Sequence, residues 1–295
     1  MDFEAAAAYA ERHQLHALLV AAGGETLFER YAEGCTAQTP HAIYSGTKSF
    51  WGVAAVAAAE DGLLDLEEPV ARTAPEWAAQ AWKRRVTLRQ LLSLTSGIGF
   101  GGLGNAVPTY TAALAVELKN EPGTVFTYGG IPLQVFGAVL ARKLAARGLT
   151  PYAYLRQRIL DPIGCTIARW RSLKDGTSPL PTGAFLSAAQ WAGYGRFIAQ
   201  RGVWKGRAIV AADALARCFV PSPPNVRYGL GWWLRPIAAP HDLVYASGAG
   251  GQALYVVPSQ DLVVVHFGSS RSFAHEPFLR RLFEGVRRTK NPGAR

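Results

Sequence analysis

Ser45 and Lys48 stand three positions apart in Tyr44-Ser45-Gly46-Thr47-Lys48-Ser49-Phe50, at the front of a strongly apolar run. On a helix that spacing is about one turn, so the two side chains share a face. A serine hydroxyl is a weak nucleophile until a base takes its proton. A lysine amine is such a base only when neutral, and burial favours the neutral form, as does the positive end of a helix dipole. The residues that follow, from Phe50 to Ala59, are apolar on nearly every face, which predicts a buried helix. Gly62 then reads as the glycine just past its C-terminus. A helix start also leaves backbone N–H groups free, and that of Ser45 is placed to receive a developing oxyanion. Taken alone, Ser-x-x-Lys equally describes a capping serine and a surface lysine, so the rest of the chain has to decide.

The elements that would position this pair read as an α+β arrangement. Phe3 to Arg12 predicts a short helix, and Leu15–Val20 and Thr26–Tyr31 predict a hairpin turned at Gly23-Gly24. From Leu63 to about Asp175 the pattern is mainly helical: a short helix from Thr87, which caps it, a longer one from Pro132 to Arg147 ended by Gly148, and another from Pro151 to Ile159. Gly99 to Gly104 is a glycine-rich loop that lacks the context of a phosphate site. Ala188–Gln200 returns to helix. Short β-rich runs follow at Tyr228–Leu234, Leu243–Tyr245, Ala253–Val257 and Leu262–Phe267, before a closing helix from Glu276 to Arg288. The first hairpin and the late strands would share one antiparallel sheet flanked by helices, with the helical middle inserted as a lobe. That gives residues 1–62 and 176–295 to the sheet domain and 63–175 to the lobe, with the active site between them.

The chain has 295 residues and a formal net charge of +10. Nearly half of it is hydrophobic, enough for a substantial core. No run has the roughly eighteen apolar residues of a membrane span, and Met1-Asp2-Phe3-Glu4 lacks the basic start of a signal peptide. Cys35, Cys165 and Cys218 have neither metal nor redox spacing and read as reduced thiols. These features together predict a cytoplasmic protein. The basic excess crowds the C-terminus at Arg280, Arg281, Arg287, Arg288, Lys290 and Arg295, which suits the solvated face of a terminal helix. No nucleic-acid module accompanies it, so no nucleic-acid partner is expected.

Several stretches in order carry a resemblance: Tyr44–Phe50, Glu60-Asp61-Gly62-Leu63-Leu64-Asp65-Leu66, Leu91-Leu92-Ser93-Leu94-Thr95-Ser96-Gly97, Glu121-Pro122-Gly123-Thr124-Val125-Phe126-Thr127-Tyr128, Tyr228-Gly229-Leu230-Gly231-Trp232-Trp233 and Gly248-Ala249-Gly250-Gly251-Gln252. Together they resemble serine hydrolases of the penicillin-binding-protein and class C β-lactamase superfamily, in particular the family VIII carboxylesterases and the 6-aminohexanoate-dimer hydrolase type. The resemblance implies the β-lactamase/transpeptidase-like fold, with Ser45 as the acylated nucleophile and Lys48 as its base. Tyr128 would pass the proton to the leaving group, its phenol acidified by a cation such as Lys48. Ser45 and Ala249 N–H groups would form the oxyanion hole. Gly130, Ala246, Ser247, Gly248, Gly250 and Trp232 would meet the substrate, and Trp191, Tyr194 and Trp233 would join Trp232 along the cleft or pack in the core. No cofactor or metal is implied.

Two departures from the family pattern narrow the substrate. The tyrosine motif usually continues to an asparagine two residues on, whose amide holds an acyl side chain; here Gly130 stands there. The third motif usually opens with lysine or histidine; here Ala246-Ser247-Gly248 offers no cation for a substrate carboxylate. Both losses point away from β-lactams and D-alanyl peptides and towards an esterase or amidase on small acyl groups. The alternatives are a β-lactamase or D,D-peptidase-like enzyme, or an idle binding protein of the same fold. A Ser-His-Asp hydrolase is disfavoured: no Gly-x-Ser-x-Gly occurs, and His13, His16, His41, His241, His266 and His275 lie in no triad context. No feature specifies an oligomeric state.

Overall fold

The computed structural model describes residues 1–288. In chain order the elements are α1 (Phe3–Arg12), β1 (Leu15–Ala22), β2 (Glu25–Tyr31), β3 (His41–Ala42), α2 (Ser49–Glu60), α3 (Leu88–Leu92), α4 (Tyr110–Leu114), α5 (Ile131–Leu144), α6 (Pro151–Leu155), β4 (Arg169–Trp170), β5 (Ala184–Leu186), α7 (Ala188–Ala199), β6 (Val203–Trp204), β7 (Arg207–Ala208), α8 (Ala212–Ala216), β8 (Trp233–Leu234), β9 (Val244–Gly248), β10 (Gln252–Val257), β11 (Leu262–Gly268) and α9 (His275–Arg288). The fold is α+β, built on a six-stranded antiparallel sheet of order β2-β1-β11-β10-β9-β8. β3, β5 and β4 form a small second sheet.

Alternation along the strands sorts the side chains into two cores. Ala17, Leu19, Leu254, Val256, Val263, Val265 and Phe267 enter the larger core with α2, α5 and α7. Leu18, Val20, Ala253, Tyr255, Val257, Leu262 and Val264 meet Ala6, Ala10, Phe278, Leu279 and Leu282 of α1 and α9 on the opposite face. Here α9 carries part of the basic C-terminus. Arg280 is exposed, Arg281 lies 4.7 Å from the Tyr9 ring centre, and Lys290 and Arg295 fall outside the described residues. No helix among the described residues is long and apolar enough to cross a membrane. The three cysteines are free thiols. Burial pushes Cys165 up to about 12.

Local chemistry explains most boundaries. Residues 50–58 of α2 are all buried, as an all-round apolar helix must be. Gly62, at φ 68°, turns the chain out of it. Thr87 and Gln90 close a reciprocal capping box on α3. α5 ends in a 3₁₀ turn before Gly148, which is left-handed. The strand expected over Tyr228–Leu234 is shorter: only Trp233–Leu234 joins the sheet. Leu230 N–H bonds to Cys218 O and Gly231 N–H to Leu92 O, which takes this stretch away from the ladder.

Candidate active site

Ser45 and Lys48 lie in a 3₁₀ turn, Tyr44–Lys48, immediately before α2, rather than within the α-helix itself. A 3₁₀ turn nearly eclipses side chains three apart, so it brings the pair closer than an α-turn would. Lys48 Nζ is 2.8 Å from Ser45 Oγ and 3.3 Å from Pro181 O. It stands 4.7 Å from the centre of the Tyr128 ring. Lys48 is 1% exposed. Desolvation brings its amine down to about 7, within reach of a base's role near neutral pH. Tyr44, at φ 45°, holds the left-handed conformation that lifts the chain into this turn.

The turn is clamped from three sides. Tyr194 Oη and Trp232 Nε1 both donate to Ser49 O, each at 3.1 Å. Ser49 Oγ donates to Gly46 O at 2.8 Å. Trp51 Nε1 donates to Leu180 O at 2.7 Å, tying α2 to the segment that carries Pro181. Tyr128 arrives on a separate run, held where Thr127 N–H bonds to Leu94 O and Gly123 N–H to Thr95 O. The Leu91–Gly97 segment thus serves as the seat of the tyrosine run. Tyr128 stacks on Trp233 at 5.7 Å and meets Tyr228 edge-on.

Its phenol is not acidified. Burial raises Tyr128, and its contact with the Ser45 hydroxyl offsets only part of that. The expectation that Lys48 would lower it is corrected: desolvation of the buried phenolate dominates and leaves the phenol above its ordinary value. Tyr128 therefore remains a proton donor.

These groups open on a cavity of about 410 Å³ lined by Tyr44, Ser45, Gly102–Gly104, Tyr128, Pro181, Thr182, Trp233 and Ser247–Ala249. Ser45, Tyr128, Ser247, Gly248 and Ala249 come together there. Lys48 lies just beneath, and Ser45 N–H opens a 3₁₀ turn and so has no partner within it. Four expected contacts differ. Trp232 is wholly buried and bonded to Ser49 O, while its neighbour Trp233, the first residue of β8, lines the cavity instead. Trp191 and Tyr194, expected either along the cleft or in the core, are buried in the core. Ala246 is 1% exposed and packs in the larger core. Gly250 lines an adjoining cavity. Gly130 is pressed against the glycine-rich loop: its N–H bonds to Gly101 O at 2.8 Å, and an added Cβ would meet Gly102 O.

One partner of this site carries no motif. Ser247 Oγ is 2.8 Å from His275 Nε2, and His275 Nδ1 is 2.7 Å from Tyr255 Oη. The buried Tyr255 hydroxyl has no other acceptor among the described residues, so it donates to Nδ1. Nε2 then carries the ring proton and donates to Ser247, whose own O–H remains to be given to the cavity. Burial lowers His275 to about 4, so the ring is neutral at pH 7. Nothing in the linear sequence ties residue 275 to residue 247. Thr182 and Leu103 also escape the motifs, because loops bring them in.

A sheet with helices on both faces, a Ser-x-x-Lys turn at the head of a buried helix and a tyrosine opposite define a class. The chain belongs to the Beta-lactamase family, whose profile matches residues 7–282. It is 29% identical to monacolin J acid methylbutanoyltransferase of Aspergillus terreus over 157 residues, 43% of this chain and 37% of that protein, so the chain spans well under half of that relative's length. Its fold is similar to that of a Bacillus anthracis protein assigned as a 6-aminohexanoate-dimer hydrolase, with TM-score 0.80, 18% identity and coverage of 97% and 83% of the two chains. A family VIII carboxylesterase superposes with TM-score 0.77 at 20% identity, over 97% of this chain and 96% of the other. At these identities the structural likeness is one of fold.

Proposed function

We propose that this chain is a serine hydrolase that forms an acyl-enzyme at Ser45 and acts on esters or amides of small, largely apolar acyl groups. The observation that carries the reading is the 2.8 Å contact between Ser45 Oγ and a buried amine poised near 7. Neutral Lys48 takes the Ser45 proton as Oγ attacks the substrate carbonyl. The N–H groups of Ser45 and Ala249 hold the oxyanion. As the tetrahedral intermediate collapses, the Tyr128 phenol protonates the departing alcohol or amine, with the Lys48 ammonium as the reservoir that restores it. Water then attacks the acyl-serine, and its proton returns through the same groups. The cavity wall of Tyr44, Leu103, Tyr128, Pro181 and Trp233 suits an apolar acyl chain. The transferase relative, the 6-aminohexanoate-dimer hydrolase and the carboxylesterase act, by name, on acyl, amide or ester groups, which agrees with this chemistry.

Labelling with a fluorophosphonate, read by intact mass, tests the reading. One adduct is expected on the wild type and none on Ser45→Ala. An unreactive wild type would favour an idle binding protein, and an undiminished adduct on Ser45→Ala would place the nucleophile elsewhere.

A further inference from the structure

Strand β11 is buried along its whole length and reads Leu262-Val263-Val264-Val265-His266-Phe267-Gly268, with one polar side chain in it. His266 is 0% exposed. Its Nδ1 lies 2.6 Å from Gly251 O, and a carbonyl only accepts, so Nδ1 carries the ring proton. Nε2 is then a bare acceptor, buried and without a partner among the described residues. Burial keeps the ring neutral, bringing His266 down to about 3. Gln252 repeats the pattern. It is 3% exposed; its Nε2 donates to Ala249 O at 3.3 Å and to Gly268 O, while its Oε1 has no partner among the described residues. An unpaired buried acceptor destabilises a fold, so each side chain carries a cost that an apolar residue would avoid. Each directs a donor to the same three residues, Ala249–Gly251. That turn is poorly constrained by itself. Gly250 and Gly251 are left-handed, at φ 80° and 88°, and glycine loses the most freedom when it is fixed. Ala249 opens the turn, so its N–H has no partner within it, and Ala249 lines the Ser45 cavity. Gly248, just before it, presses on the nucleophile's segment: an added Cβ would meet Ile43 O, which accepts from Gly46 N–H. A Cβ on Gly251 would meet Phe273, whose ring stacks on His266 at 4.1 Å.

We propose that His266 and Gln252 are positioning residues: by holding Gly251 O and Ala249 O they fix the Ala249–Gly251 turn and so aim the Ala249 N–H at the oxyanion. The inference rests on the hydrolase reading of Ser45, with Ala249 as the second oxyanion donor. Neither side chain needs to touch the substrate. An oxyanion donor works only where it meets the charge that develops in the transition state, and a displacement of about 1 Å is enough to lose most of its effect. The two orphaned acceptors are therefore the cost of holding a two-glycine turn in one geometry.

Three variants test this. His266→Leu removes one donor, Gln252→Met removes the other, and His266→Asn keeps an N–H near the place of Nδ1. On p-nitrophenyl butyrate, His266→Leu and Gln252→Met should lower kcat by about tenfold to a hundredfold with KM little changed, and His266→Asn should recover most of the loss. An alkyl trifluoromethyl ketone forms a hemiketal with Ser45 that sets an oxyanion in the same hole, so its inhibition constant should rise in step with the fall in kcat/KM. A merely structural role would instead lower the melting temperature and the fraction of enzyme that reacts with a fluorophosphonate, and leave the inhibition constant of the reactive fraction unchanged. That result, or an unchanged kcat in His266→Leu, would overturn the proposal. Nitrogen-15 NMR of the wild-type histidines needs no variant: a proton on Nδ1 of His266 is expected, and one on Nε2 would remove the bond to Gly251 O and the proposal with it. Failure of the wild type to turn over any ester would reject the hydrolase reading instead. The amide shift of Ala249 then decides: displaced in His266→Leu and restored in His266→Asn it supports the positioning role, and unmoved it rejects it.

Discussion

The carbonyl oxygen of Gly102 occupies the space in which a Cβ on Gly130 would stand. Gly129 is also tight, with its Cβ position 3.0 Å from Gly101 O. The glycine-rich loop therefore fills the room that an amide side chain needs, and the missing asparagine is a consequence of that packing. Gly130→Asn should not create an amide-binding group. It should overpack the loop and destabilise the fold by about 1–3 kcal/mol. A fall in melting temperature with no gain in nitrocefin hydrolysis is the expected result. An unchanged melting temperature would mean that the loop yields.

With Lys48 as the proposed base, the reaction should follow its titration. A base near 7 is active once deprotonated, so kcat/KM should rise with pH along a limb centred near 7. Lys48→Arg keeps the charge and cannot release it in this range, so it should lose about a hundredfold or more. Retention of most activity would leave Lys48 a structural role only.

The same burial costs stability. In the unfolded chain the amine titrates near 10.5 and in the fold near 7, so between these values unfolding takes up a proton and stability rises with pH. Below 7 the fold holds a buried charge and is at its weakest. Lys48→Met removes that burden while keeping the shape. It should be inactive yet melt higher at pH 6, at roughly 2–4 °C per kcal/mol gained, and the gain should shrink towards pH 10. A lower melting temperature at pH 6 would show that the contacts of Nζ outweigh its desolvation.

Much of this was legible in the chain, and the parts that were not share a cause. The buried α2, its exit at Gly62, the Thr87 cap and the alternation of β10 and β11 follow from local periodicity and turn chemistry. The fold class follows from their order. Trp233 and not Trp232 meets the cavity because the strand begins only at Trp233, the residues before it being held off the ladder by the Leu230 and Gly231 N–H bonds to Cys218 and Leu92. Gly130 takes its meaning from a loop some thirty residues earlier, and His275 from a strand on the far side of a hairpin. No local pattern encodes such meetings.

His275 supplies a prediction of its own. If it orients the Ser247 hydroxyl, His275→Leu and Ser247→Ala should each lower kcat/KM by up to about tenfold, the worth of a neutral hydrogen bond. The double variant should lose little more than either single one, because both act through one hydroxyl. Fully additive losses would separate the two residues. His275→Leu alone should also lower the melting temperature, since it strands the buried Tyr255 hydroxyl.

Ester hydrolysis should far exceed β-lactam hydrolysis. A β-lactam offers an acyl amide and a carboxylate fixed close to the scissile bond. Gly130 has no side chain for the first, and Ala246, buried in the core, brings no cation to the second. Losing one charge-assisted hydrogen bond costs about 1.5–3 kcal/mol, or roughly tenfold to a hundredfold in specificity. Arg271 lines the adjoining cavity and not that of Ser45. On the proposed mechanism a simple ester needs only Ser45, Lys48, Tyr128 and two N–H groups. The comparison is kcat/KM for p-nitrophenyl butyrate against nitrocefin and a cephalosporin on one preparation. A ratio of about a hundred or more in favour of the ester is expected. Comparable values would reject this reading and mean that some cation of the cleft meets the lactam carboxylate after all; an Arg271→Gln variant that then lost only the lactam activity would identify it.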